Sequence, residues 1–376
     1  MMMKLRLLPV GSGPEAEIGE IYSCVYTPDS RNVLSGGWDG QLHLWDARDG
    51  AHLLAVSVSA KPISACAVTP DGKYWLSGSL EGMLAHWEAT SQRQASIFLA
   101  HNRPISAIVF GLTNHVVATA SWDTAITLWT LDRQRAGKTL NGHRDIVAGC
   151  RFTPDGEQVF SWSHDGTVRL WHAETGQPLH DSASHNDRVT AGDVSPDGVW
   201  GVSGGRDGMI KLWNLKLWQE VASFLLGNEL NSCLFLRDGK TLVVADARGK
   251  LTLHTLPHLD PISELDTFLP VQCAALAPAS DQIALGCADG TLRLVAVAGL
   301  EQEPLMVTAL RTSRRTANAW QRLLGKSQIT HAYHCRCPVC QHSVPLANEH
   351  LGQTISCPHC HRALRLAALA KLPRES

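Results

Sequence analysis

Two sets of residues in this chain have the types and spacing to do chemistry. The first is a pair of knuckles, Cys337-Pro338-Val339-Cys340 and Cys357-Pro358-His359-Cys360, separated by sixteen residues. Each short turn presents two thiolates, and two such turns at the ends of hairpins complete a tetrahedral site for one Zn2+. Four thiolates close the coordination sphere. The expected role is therefore structural, because a catalytic zinc keeps one position open for water or substrate. A segment of about 30 residues buries little core, so the metal has to hold its fold. Cys335, His334, His342, His359 and His361 stand nearby as spare donors.

The second set combines a hydroxyl, an imidazole, a carboxylate and an indole. It occurs as His101, Thr119, Asp123 and Trp129, again as His143, Ser161, Asp165 and Trp171, and again as His185, Ser203, Asp207 and Trp213. Ser, His and Asp together suggest hydrolysis, and Gly201-Val202-Ser203-Gly204-Gly205 even fits the Gly-x-Ser-x-Gly pattern. That motif needs a strand-to-helix turn, which a strand-rich repeat does not provide. Three copies of one constellation argue for structure instead. Four polar groups that satisfy one another avoid the ~1–3 kcal/mol cost of each buried, unpaired group. No unrepeated carboxylate pair or nucleophile set is present, so a non-enzymatic chain is expected.

The elements that carry these residues are set by a ruler of tryptophan. Trp45, Trp87, Trp129, Trp171 and Trp213 are spaced by 42 residues, and a fixed period of that size marks an array of supersecondary units. Each Trp ends an alternating run such as Thr167-Val168-Arg169-Leu170-Trp171, the pattern of a half-buried strand. A tight-turn pair precedes it: Asp39-Gly40, Glu81-Gly82, Asp165-Gly166, Asp207-Gly208 or Asp289-Gly290. Further upstream a second turn, such as Thr69-Pro70-Asp71-Gly72 or Thr153-Pro154-Asp155-Gly156, follows another apolar strand. Each repeat is thus predicted to hold four strands. Cys24, Cys66, Cys150 and Cys233 occupy one repeated position and are expected, with Cys273 and Cys287, as buried small hydrophobes.

On these motifs the chain resembles the WD-repeat β-propeller family, and the resemblance implies an all-β ring of four-stranded antiparallel blades. Seven blades are expected. The first keeps Ser35, Asp39 and Trp45 with Glu17 at the His position, the second keeps Ser77 and Trp87 with Glu81 for Asp, and His254 and Val295 stand at the Trp position of the last two. The N-terminal strand usually closes such a ring. Lys4-Leu5-Arg6-Leu7-Leu8 suits that role, with Pro304 to Leu310 as a rival. The C-terminal knuckles, with Val344-Pro345 and Gly352, resemble a small bacterial zinc ribbon. The expected division is residues 1–303 as propeller, 304–332 as a basic linker with a short helix over 314–325, and 333–376 as ribbon.

In the resembled family, partners dock on the face carrying the residue before each turn Asp. Here those residues are Trp38, Leu80, Trp122, His164, Arg206, Ala247 and Ala288. Trp and Arg are enriched in binding hot spots, so Trp38, Trp122, His164 and Arg206 are the candidate partner-binding residues; the alternative is that the indoles pack under neighbouring loops. Charge divides the chain in the same place as the repeats end. Through Glu303 there are 23 basic and 33 acidic residues, a balance of −10, and from Pro304 onward 10 against 2, a balance of +8. The expected function is a protein-interaction scaffold, a recognition subunit of a bacterial multi-protein system. The alternative is nucleic-acid binding through the basic tail. No run of about 18 apolar residues and no signal-peptide core are present, and the odd count of 11 cysteines suits a reducing compartment. A cytoplasmic protein with no membrane partner is expected.

Overall fold

Alternation of apolar and polar residues builds the strands, and two kinds of turn separate them. In Thr167–His172, Val168, Leu170 and Trp171 are buried. The turn before it needs a left-handed residue, which Gly166 supplies at φ 78°, while Asp165 Oδ1 accepts the Thr167 N–H at 2.9 Å. At the Pro-Asp turns a hydroxyl closes the loop: Thr69 and Thr153 donate to Asp71 and Asp155 at 2.7 and 2.6 Å. The computed structural model describes residues 3–8, 18–112, 116–131, 135–298, 305–316, 328–336, 343–346, 354–356 and 363–371. Among these the elements are β-strands, with Leu131 alone in 3-10 conformation.

Seven of the sheets have four strands and form the blades of a propeller. The first orders Ile21–Tyr26, Asn32–Gly37, Gln41–Asp46 and His52–Ser57. The innermost strands of the others are Ile63–Val68, Ile105–Phe110, Val147–Phe152, Val189–Val194, Leu230–Phe235 and Val271–Leu276. These strands pack beside one another around the ring. Each carries a β-bulge at its second residue, for example between Ile63 and Ala65 and between Val189 and Ala191. A bulge leaves one residue out of the ladder and re-aims its side chain. In four blades that side chain reaches the next blade: Ser64 Oγ donates to Ile105 O at 2.5 Å, Ser106 Oγ to Val147 O, Thr190 Oγ1 to Leu230 O at 2.5 Å and Asn231 Nδ2 to Val271 O at 2.8 Å.

The ring closes through the N-terminal strand. Lys4–Leu7 pairs antiparallel with Leu292–Ala298, Leu5 opposite Val297 and Leu7 opposite Val295, and Leu8 N–H donates to Leu294 O at 2.8 Å. Leu5 is buried among Leu253, Val295 and Val297, a core that spans the sixth and seventh blades. The rival segment lies elsewhere. Leu305–Thr316 is a strand of a separate five-stranded sheet, between Gln328–Arg336 and Ala363–Lys371, with Ser343–Leu346 and Thr354–Ser356 at its edges. The helix expected over 314–325 is corrected for its first three residues. Arg314, Arg315 and Thr316 pair with Thr330, Ile329 and Gln328, because pairing partners outweigh the weak helical preference of an Arg- and Ala-rich run. Residues 317–325 lie outside the described residues.

Removal of residues 1–8 strips the outer strand from the seventh blade and exposes both an edge and an apolar core. The truncated chain is expected to melt lower and to aggregate, which light scattering of freshly purified protein will detect; a monomeric, undiminished variant would count against closure by this strand.

Candidate docking face

The three repeated constellations form three matching hydrogen-bonded chains inside blades 3, 4 and 5. Trp129 Nε1–H donates to Thr119 Oγ1 at 2.8 Å, the hydroxyl lies 2.7 Å from His101 Nε2, and His101 Nδ1 lies 2.8 Å from Asp123. In the next blade the corresponding distances are 2.8, 2.9 and 3.1 Å, and in the fifth 3.0, 2.9 and 3.0 Å. A carboxylate only accepts and an indole only donates, so the two ends of each chain are fixed: the indole N–H feeds the hydroxyl oxygen, and the histidine Nδ1–H feeds the carboxylate.

In blades 4 and 5 the carboxylate also takes backbone N–H groups from two loops. Asp165 Oδ2 accepts the Arg144 N–H at 2.8 Å while Oδ1 accepts Thr167 N–H, and Asp207 Oδ2 accepts the Asn186 N–H at 3.1 Å. Burial alone would raise the Asp165 pKa, but the hydrogen bonds from His143, Thr167 and the Arg144 backbone hold it well below the usual carboxylate range. The residues preceding these anchored acids are fixed by backbone bonds across the same end of the ring: Trp38 N–H to Glu20 O at 3.0 Å, Trp122 to Pro104 O at 2.9 Å, His164 to Ile146 O at 2.9 Å and Arg206 to Arg188 O at 2.8 Å. Antiparallel order places the turn between second and third strands and the loop between blades at this one end.

Both indoles stand in solvent here, Trp38 at 62% and Trp122 at 44% exposure. Trp122 borders an open cleft of about 540 Å³ with Asn102, Arg103, Asp145 and Ile146. Arg206 is exposed, with Nε 3.6 Å from Glu229. His164 is half-buried, its Nδ1 without a hydrogen-bond partner; burial and then Arg188 lower its pKa, against the opposing pull of Asp145, Glu229 and Asp187. A third aromatic joins this end. Phe268, in the loop entering the seventh blade, is 85% exposed with φ 58°. It stands where blades 3 to 5 have their histidine, since Thr267 N–H reaches Gly249 O as Ala100 N–H reaches Gly82 O. Counting back from Val295 by the 28 residues that separate Trp129 from His101 gives Thr267, one residue short of Phe268, and nothing in the sequence says that this ring turns outward.

The degenerate blades find other solutions. In blade 1 the imidazole comes from the third strand: His43 Nε2 lies 2.8 Å from Asp39, its Nδ1 3.0 Å from His52, and Trp45 Nε1–H donates to Ser35 at 2.8 Å. His43, two residues before the ruler Trp, is the signal that a search for a loop histidine passes over. In blade 6 the buried His254 bonds Thr252 and the Leu259 carbonyl, both at 2.9 Å. Cys24, Cys66, Cys150, Cys233, Cys273 and Cys287 are free, and burial pushes Cys66 and Cys150 up to about 12 and Cys287 to about 11, so their thiolates are scarce at neutral pH. Cys337, Cys340, Cys357 and Cys360 lie outside the described residues. Among the described residues no group of three or more His, Cys, Asp or Glu is placed to hold a metal, and no helix is long and apolar enough to cross a membrane.

The family model for the IFT122 first beta-propeller matches residues 20–296, the span of the seven repeats. The chain belongs to this family. No curated protein matches it.

Burial lowers the pKa of His52, His185 and His254. The unfolded chain therefore binds more protons, and stability falls as the pH drops below the unfolded value of about 6.5. Asp165 and Asp207, held low by their partners, add a further loss below about pH 4. Thermal midpoints should be level from pH 8 to 7 and decline from 6.5 to 5, and His254→Gln should flatten that decline. A midpoint constant from pH 7 to 5 refutes the account.

Proposed function

We propose that this member of the IFT122 first beta-propeller family is a non-enzymatic docking platform whose loop end holds protein partners and whose C-terminal segment forms a zinc ribbon that gives a second contact. Propeller domains of this kind typically act as interaction scaffolds and are generally non-catalytic. The observation that carries the reading is the set of three exposed aromatic rings, Trp38, Trp122 and Phe268, on one end of the ring. Elsewhere among the described residues the large exposed apolar side chains are aliphatic and lie on or beside outer strands, as with Leu53, Leu99, Leu217 and Leu225. Rigid aromatics on anchored loops lose little entropy on binding, and Arg206 adds a donor of the kind found in hot spots. Free buried thiols suit a reducing, cytoplasmic setting.

The zinc proposal is supported by the donor set and by the strands on either side of it. Cys337 and Cys340 lie in the segment between the paired residues Arg336 and Ser343, and Cys357 and Cys360 between the paired residues Ser356 and Ala363. The register sets Leu310 opposite His334 and Leu305 opposite Leu364, so both pairs border the same end of one sheet. Two hairpins opening at one end, each carrying two thiols, suit a single tetrahedral ion held for folding. The second reading, nucleic-acid contact, draws on the same sheet: Arg311 is level with Lys371 on the neighbouring strand, within a segment of balance +8.

Affinity purification from the native host identifies the partner; Trp38→Ala, Trp122→Ala and Phe268→Ala then test the face. Each is expected to weaken partner binding by about 1–3 kcal/mol with little change in melting. Equal losses of binding and stability would mean that the rings serve packing instead. For the tail, elemental analysis should find one zinc per chain, and Cys357→Ser should lose it and unfold only the C-terminal segment, since the blades rest on their own neighbours. Binding of the partner by the tail should respond weakly to salt, whereas nucleic-acid binding would show a steep slope. Metal-free protein with full binding would defeat both uses of the ribbon.

A further inference from the structure

Blade 2 keeps the setting of the hydrogen-bonded chain but has no imidazole in it. Trp87 Nε1–H donates to Ser77 Oγ at 3.1 Å, as in the complete blades. Ser59 stands where His101 stands one repeat later, and its backbone is held in the same way: Ser59 N–H to Gly40 O at 3.1 Å, His101 N–H to Gly82 O at 3.1 Å. The second route to the slot is also unused. In blade 1 His43 enters from the third strand opposite Ser35, and in blade 2 the residue opposite Ser77 is Ala85. Two small side chains thus stand at the two positions from which this fold supplies the ring.

The space remains open. A cavity of about 240 Å³ is lined by Ser59, Ser77, Glu81, Met83, Ala85 and Ile97, among others. An apolar cavity of about 150 Å³ accepts a benzene ring, so this volume admits a five-membered one. Its polar groups match those around His101, with the buried Ser77 hydroxyl in the place of Thr119 and Glu81 in the place of Asp123. Ser77 Oγ accepts only the indole N–H, whereas Thr119 Oγ1 also meets Nε2 of its histidine at 2.7 Å. Glu81 is exposed, which puts the carboxylate residue at the rim, where a ligand enters.

We propose that the blade 2 cavity binds an azole ring supplied from outside the chain, one ring nitrogen on the Ser77 hydroxyl and the other on the Glu81 carboxylate. Imidazole is the minimal ligand, and the side chain of a partner's histidine carries the same chemistry. The site lies at the same end of the ring as the aromatic face and uses none of its residues.

Titration of the full-length, methyl-labelled chain with imidazole at pH 7, followed by NMR, tests it. Saturable shifts and ring-proton contacts are expected at the Ala85 and Met83 methyl groups, and Glu81→Gln should weaken binding about tenfold, the loss of one charge-assisted hydrogen bond. Ser59→His, which copies the placement of His101, and Ala85→His, which copies that of His43, should each raise the melting temperature and abolish the response. Gly-His-Gly binding more tightly than imidazole assigns the site to a partner's histidine, and the reverse order to a free azole. Absence of saturable shifts at Ala85 and Met83 in the unaltered chain overturns the proposal whatever the variants do, as does an unchanged response in a folded Ser59→His or Ala85→His chain.

Discussion

Every blade leans on the next through its innermost strand, and in four of the seven the extra residue near the start of that strand makes the polar bond that ties them. In a regular antiparallel strand its side chain would stand on one face of its own sheet. The bulge at Ser64, Ser106, Thr190 and Asn231 releases it sideways, where a short polar side chain meets the first carbonyl of the following blade. The carbonyls reached belong to Ile105, Val147, Leu230 and Val271, which have no exposed surface, so each bond satisfies an acceptor that water does not reach. Blade 4 has Ala148 at this position and relies on packing there, with the Trp162 ring lying close against Gly192 of blade 5.

From that ring the docking face is assembled by carboxylates. Asp165 and Asp207 each receive an imidazole from within the blade and backbone N–H groups from two loops, and His164 and Arg206 precede them on that fixed base. Asp39 and Asp123, which Trp38 and Trp122 precede, also hold an imidazole and take a backbone N–H from their own turn. A buried network with a structural role thereby sets the placement of the residues at the rim.

Much of this is legible in the sequence because repetition amplifies weak signals. A single Ser, His or Asp says little, but the same residue in register three times identifies a position. The four-stranded repeat and the inward position of its cysteines follow from alternation and period, whereas the ring and its closure by Leu5 are what the resemblance to WD-repeat propellers implies, and the pairing of Leu5 with Val297 decides against the rival segment. What the repeat does not disclose is what departs from it. His43 supplies an imidazole from a strand instead of a loop, a choice governed by three-dimensional proximity to Asp39. Phe268 turns outward because a positive φ redirects it, and no local residue type announces that. Arg314 and Arg315 look helical by composition, and the strand Gln328–Arg336 that pairs with them is defined only by tertiary context. In sequence blade 2 is simply a degenerate copy, and only the cavity volume shows that the missing ring left room behind.

Closure by Lys4–Leu7 also orders events in time. The chain emerges from the ribosome N-terminus first, so this strand is made before any blade exists and its partner, Leu292–Ala298, comes after nearly all of them. Blades 1 to 6 can each gather four consecutive strands as they emerge, whereas the seventh joins the two most distant ends of the repeat array. Its contacts have the largest sequence separation in the ring, and contacts of that kind form slowly. Until then an apolar strand has to wait unpaired while the blades are made, a period in which the nascent protein depends on whatever shields Leu5, Leu7 and Leu8 from neighbouring copies.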